Sequence, residues 1–120
     1  MIVHLVLFRP KSDLPDADRV GLVDAIARAH REIASIRKFT VGKRTMREAS
    51  YAQVMPDYPY AALVEFDDAR GLQEYLAHPA HQELGRRFWE TSDSPLAYDY
   101  ELLELAEAIA LLSEKNSSIS

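Results

Sequence analysis

The opening residues constrain this chain most. Met1-Ile2-Val3-His4-Leu5-Val6-Leu7-Phe8 is apolar apart from His4 and is stopped by Pro10 and the polar run Lys11, Ser12, Asp13, so it reads as a β-strand. On a pleated strand Ile2, His4, Val6 and Phe8 share one face, and Val3, Leu5 and Leu7 share the other. An antiparallel strand with one wet face alternates apolar with polar residues, and this one does not. Both faces of its sheet therefore need cover. The chain's own helices serve one face. A second copy, set sheet against sheet about a two-fold axis, serves the other, because identical surfaces then satisfy each other and no apolar sheet is left bare.

The remaining pattern supplies those helices. Ser12 or Asp13 is expected to cap a helix over Asp16 to Ser35, with Val20, Val23, Ile26, Ala27, His30, Ile33 and Ala34 at helical spacing. Phe39, Val41 and Thr45 mark a second strand, with a bulge or a close backbone approach expected at Gly42. Residues 46–57 read as a loop with a short helical turn, and Tyr58 to Phe66 as a third strand. Asp67 or Asp68 caps a helix carrying Leu72, Tyr75 and Leu76, which Pro79 interrupts. A further helix from Ala80 carries Leu84, Phe88 and Trp89. Leu96 to Leu103 is a fourth strand, Glu104 to Leu112 a short helix, and the serine-rich stretch Ser113 to Ser120 a frayed tail. The order β-α-β-β-α-β, with its second helical region split, predicts an α+β class: a ferredoxin-like plait with a four-stranded antiparallel sheet and its helices on one face.

Composition narrows the chemistry. A length of 120 residues suits a single domain, here assigned to residues 1–105, with 106–120 as a C-terminal extension that is partly helical or disordered. There is no cysteine, which removes disulfides, thiolate nucleophiles and zinc-thiolate sites. Fourteen Lys and Arg against 19 Asp and Glu give a net charge of −5, the wrong sign for a nucleic-acid partner gripped through its phosphates. Residues 2–8 are too short for a membrane span and lack the marks of a signal peptide, so a cytoplasmic protein with no membrane partner is expected.

Three stretches resemble a known family. The opening strand with His4, the run Ile36-Arg37-Lys38-Phe39-Thr40-Val41-Gly42, and Ala62 to Phe66 leading to Tyr75-Leu76-Ala77-His78-Pro79-Ala80-His81 and then Tyr98-Asp99-Tyr100 are similar to the stress-responsive A/B barrel (Dabb) domain, a branch of the dimeric α+β barrel superfamily. The likeness spans residues 1 to about 103 in the right order. Two departures are Lys43-Arg44-Thr45, where members often place an asparagine, and a tail longer than the minimal domain. The resemblance implies a homodimer whose two sheets form a barrel, with a pocket in each subunit between sheet and helices. Its enzymatic members, notably plant polyketide cyclases, are thought to use a histidine and a tyrosine of the Tyr-x-x-His-Pro-x-His stretch for an aldol closure. Many members have no known reaction.

The candidate catalytic residues are His81, Tyr75 and His4. His81 shares a helical face with Leu84 and Phe88, so its imidazole points inward, fit to take a proton from a carbon beside a carbonyl; the alternative is a buried histidine bonded to a backbone carbonyl. Tyr75 offers a phenol to the carbonyl oxygen, or is a half-buried core tyrosine. His4 orients substrate or His81, or is a satisfied core histidine, and Asp99 is its candidate partner. That pairing meets an obstacle, since the plait is expected to hold strands 1 and 4 apart unless twist or dimer closes the gap.

The implied pocket is expected to draw on Val6, Phe8, Leu72, Leu84, Phe88 and Asp99, and to take a small apolar or carbonyl-containing ligand. His78 reads as a helix terminus, His30 as a boundary residue, and Tyr58, Tyr60 and Trp89 as core or pocket wall. Arg86-Arg87 faces water or the interface. His78 and His81 fall short of zinc's ligand number, so neither a metal nor a cofactor is called for. The expected function is ligand binding with cofactor-independent proton transfer or aldol-type chemistry. The alternatives are a non-catalytic stress-response or assembly protein and a heme- or oxygen-dependent monooxygenase.

Overall fold

The computed structural model describes residues 1–114; most of the expected frayed tail, at 115–120, lies outside the described residues. The elements are β1 (Ile2–Phe8), α1 (Asp16–Glu32), β2 (Lys38–Lys43), a 3-10 turn at Ala52–Val54, β3 (Tyr60–Phe66), α2 (Ala69–Ala77), α3 (Pro79–Thr91), β4 (Leu96–Glu101) and α4 (Leu105–Leu112). All strand pairs are antiparallel, in the order β2-β3-β1-β4. This is the ferredoxin-like α+β plait expected from the pattern.

The order corrects one expectation. Strands 1 and 4 are neighbours, with His4 opposite Asp99 and Val6 opposite Ala97. Each β-α-β half crosses over to place its second strand beside the other half's first, so β1 ends up central and β4 becomes an edge. The even residues of β1 are buried beneath the helices, and Val3, Leu5 and Leu7 on the other face are half-covered by neighbours within the sheet. Val3 pairs with Tyr100, Leu5 with Tyr98 and Leu7 with Leu96, so that second face is apolar across the β1–β4 pair.

The core lies between the sheet and the helices. Phe66, Val64, Ala62, Leu84, Ala80 and Ala29 are at most 1% exposed. Helix α1 is phased differently from the expected stripe: Leu22, Ala25, Ala29 and Ile33 are buried, while Val20, Val23 and His30 are exposed. Apolar residues surround this helix, so spacing alone left the phase undetermined. The small side chains settle it, because they allow close approach. Gly21 faces α3 so tightly that a Cβ there would lie 2.6 Å from Nη1 of Arg87, whose Nε is buried without a partner.

Local chemistry sets the helix ends. Asp68 caps α2, its carboxylate accepting from the Gly71 N–H at 3.0 Å. His78 is held extended before Pro79, and its Nδ1 accepts from the Ala80 N–H at 3.0 Å, so the terminal role expected for it is what the structure shows. Neither Ser12 nor Asp13 caps α1: Pro15 occupies the N-cap position with no side-chain bond, and the helix ends at Glu32 rather than Ser35. At Gly42 the ladder is regular, opposite Ala61, so there is no bulge, and Thr45 lies beyond β2. No helix among the described residues is long and apolar enough to cross a membrane.

Candidate functional site

The break at Pro79 turns α3 relative to α2 and brings Tyr75 and His81 onto the same side of the core as His4 of β1. The Tyr75 and His81 rings lie 4.4 Å apart by centroid; His4 is 5.4 Å from Tyr75 and 6.0 Å from His81. All three line a cavity of about 490 Å³ between β1, α2, α3 and the start of β4. The remainder of its wall is almost wholly apolar: Val6, Leu76, Leu84, Phe88 and Trp89, closed on the strand side by residues 95–98.

Of the six residues expected in the pocket, Val6, Leu84 and Phe88 line it and Phe8, Leu72 and Asp99 do not. Phe8 lies further along β1, where its ring packs 4.8 Å from Phe88 and 5.5 Å from Tyr60. Leu72 lies one turn before Tyr75 and packs against the core. Asp99 sits behind the wall, where its Oδ1 meets Nδ1 of His4 at 2.6 Å. The sequence reading missed Leu76, Gly85, Pro95, Leu96, Ala97 and Tyr98. Correct strand order would have found Ala97, which pairs with inward-facing Val6; Leu96 and Tyr98 adjoin it on the edge strand.

The His4 to Asp99 contact determines what His4 presents. A carboxylate accepts from Nδ1–H, which leaves Nε2 as the free ring nitrogen. His4 is buried, whereas Asp99 is 43% exposed and keeps its contact with water. On His81 the Leu76 carbonyl lies 3.3 Å from Nδ1 and accepts from it, so Nε2 is again the free acceptor. The pKa of His81 is lowered, first by burial and then by the nearby His4, against the raising effects of the Leu76 carbonyl and Asp99. Tyr75 is 2% exposed, and burial, reinforced by Asp99, pushes its phenol well above the usual tyrosine range. It is a neutral donor at any physiological pH.

The site thus combines one neutral imidazole with a free nitrogen, one protonated phenol and one oriented histidine in an apolar chamber. His30 and His78 stand outside it. Trp89 forms part of its wall while 68% exposed, and Tyr58 and Tyr60 instead line a separate hollow of about 320 Å³ beside Lys43 and Arg44. Among the described residues, no group of three or more His, Cys, Asp or Glu is placed to hold a metal ion.

Solved structures share this architecture. A dimeric protein of unknown function with a ferredoxin-like fold from Bacteroides fragilis is 27% identical, with 84% of this chain and 95% of that chain covered and a TM-score of 0.57. A protein of Arabidopsis thaliana is 24% identical over 88% of this chain and 98% of its own, TM-score 0.71. A hydroxynitrile lyase from Passiflora edulis is 14% identical over 86% and 94%, TM-score 0.69, a likeness of fold alone. Among curated proteins none matches the chain significantly. The strand order, the His4 strand and the Tyr75 to His81 segment agree with a match that runs through nearly the whole described fold: over residues 2–102 the chain fits the Stress responsive A/B Barrel Domain, and it belongs to that family.

Proposed function

We propose that the cavity binds a small, mainly apolar carbonyl compound and promotes proton transfer at the carbon next to the carbonyl. The observation that carries this is the convergence of His81 and Tyr75 at 4.4 Å inside an otherwise apolar chamber. Nε2 of His81 takes the proton from the α-carbon, and the electron pair left behind moves onto the carbonyl oxygen. The Tyr75 hydroxyl donates a hydrogen bond to that oxygen as its charge develops. His4, held by Asp99, orients the bound compound. In an aldol-type closure the enolate carbon then attacks a second carbonyl of the same molecule, and the new alkoxide takes a proton from the His81 imidazolium. The largely apolar wall lowers the local polarity around the Tyr75 hydrogen bond and so strengthens it. That a hydroxynitrile lyase shares the fold supports the reading only as to scaffold.

The working unit in this reading is a homodimer joined through the free sheet face. The outward residues of β1 and β4 are apolar, and ferredoxin-like neighbours from Bacteroides fragilis and Jannaschia, 27% and 25% identical, are described as dimeric.

The test works without an identified substrate. A panel of small ketones and 1,3-dicarbonyl compounds is incubated with the protein in D2O, and deuterium entry at the α-carbon is followed by NMR. The protein is expected to accelerate exchange for bulky apolar members, and His81→Ala to abolish the acceleration. Exchange unchanged in His81→Ala would remove His81 as the base. Compounds that bind without exchanging would make the cavity a binding site alone.

A further inference from the structure

Helix α4 is an apolar helix without a home in its own chain. Its sequence, Leu-Ala-Glu-Ala-Ile-Ala-Leu-Leu, carries one charge, Glu107, and Leu105, Ile109 and Leu112 are 74%, 55% and 78% exposed. Eight residues are too few for a helix to persist alone in water, and a helix apolar on every side belongs in an interior. Among the described residues α4 makes no substantial contact with any other element. The chain's radius of gyration, 16.5 Å, exceeds the roughly 13–14 Å of a compact domain this long, as a projecting arm requires.

The arm is an addition to the shared fold. The family match ends at residue 102, and the dimeric neighbours cover only 84% of this chain while 95% and 98% of their own lengths are covered. Whatever α4 does is therefore superimposed on the common domain.

We infer that α4 is an exchanged arm that docks on a second copy of this chain; the inference rests on the sheet-face dimer proposed above. Continuity is the first argument. On β4 the outward residues Leu96, Tyr98 and Tyr100 belong to the apolar sheet face, and exposed Leu102 and Leu103 extend that surface to the root of α4. β4 is an edge strand, so a segment leaving it emerges at the margin of whatever covers the sheet. Symmetry then supplies two such arms per dimer, each meeting the other protomer. Charge is the second argument. Between Arg87 and Lys115 there is no basic residue, while Glu101, Glu104 and Glu107 flank and enter the arm. Helices that lie on anionic bilayers carry Lys and Arg on their polar face, and this one carries the opposite sign.

The experiment uses the full chain. Because it contains no cysteine, Ile109→Cys introduces a unique thiol. Alkylation of that thiol is measured across dilution, and dimer dissociation is measured by sedimentation for the parent and for the double variant Leu105→Asp, Ile109→Asp. The arm lies outside the packed domain, so these variants should keep the far-UV and near-UV circular dichroism of the domain. A docked arm predicts dimer affinity at least tenfold weaker in the double variant, and alkylation at least tenfold slower above the dimer's dissociation constant than below it. Equal dimer affinity with alkylation independent of dilution would overturn the arm and leave the sheet-face dimer standing. A parent chain monomeric at micromolar concentration would overturn both. Protection of the introduced thiol that persists in the monomer would place α4 on its own chain and overturn the exchange.

Discussion

Replacing Tyr75 by Phe separates the chemical from the structural role of that residue. The ring is 2% exposed and packed on three sides, with Phe66 at 5.1 Å, His81 at 4.4 Å and His4 at 5.4 Å. Truncation to alanine would empty that space and cost about 3–5 kcal/mol, a large share of a small domain's stability. Phe keeps every ring contact and deletes one oxygen. Tyr75 lines the cavity, where its hydroxyl is available to a bound compound, so deleting the oxygen leaves the packing of the ring in place. The expected stability change is within about 1 kcal/mol in either direction, or about 4 °C in Tm for a chain of this length. If the hydroxyl stabilises an enolate, its loss costs about 10²–10³ in rate, or about 2.7–4 kcal/mol on the barrier. The assay pairs thermal denaturation at fixed protein concentration with α-carbon deuterium exchange for the best compound of the panel. An exchange rate within about threefold of the parent, with Tm held, would refute the donor role. A fall in Tm of more than about 10 °C would show that the hydroxyl has a structural partner.

Two further outcomes follow from the histidine pair. Asp99→Asn replaces the carboxylate that accepts from Nδ1 of His4; because Asp99 is 43% exposed, stability should change by less than about 1 kcal/mol, whereas the ¹⁵N shifts of the His4 ring should lose the signature of a single Nδ1–H tautomer. An unchanged ring spectrum would show that the carboxylate does not set the tautomer. The lowered pKa of His81 fixes the sign of a pH effect: the unfolded chain takes up a proton near pH 6.5 before the folded one does, so this residue's contribution to stability is intact above pH 6.5 and declines as pH falls toward the folded pKa. Exchange should be flat from neutral pH down to about 6.5 and fall only below it. Acid sensitivity of stability below about pH 6.5 that is identical in His81→Ala would assign the effect to other groups.

Much of the molecule follows from local chemistry alone. The apolar run 2–8, the proline at 79 and the acid at 68 dictate a strand, a break and a cap through steric and hydrogen-bonding rules that act within a few residues, and each stands where those rules put it. The Tyr75 to His81 segment is likewise local, so the meeting of those two rings was legible. Helix α1 was not, because Val20 and Val23 compete with Leu22 and Ala25 for the core at the same spacing. Only the fit of Gly21 against Arg87, and of Ala25 and Ala29 in the core, decides which stripe turns inward.

The site divides along the same line. By itself the amino-acid order determined the kinds of group available, histidine, tyrosine and carboxylate with no thiol, and the apolar second face that calls for a partner. Tertiary structure decided which of them meet. Asp99 reaches His4 because β4 lies beside β1, and Phe8 packs on Phe88 and Tyr60 instead of lining the cavity. The physical reason is range: backbone sterics and capping act over a few residues, whereas strand adjacency joins positions 95 residues apart and is selected by the packing of the whole sheet against its helices.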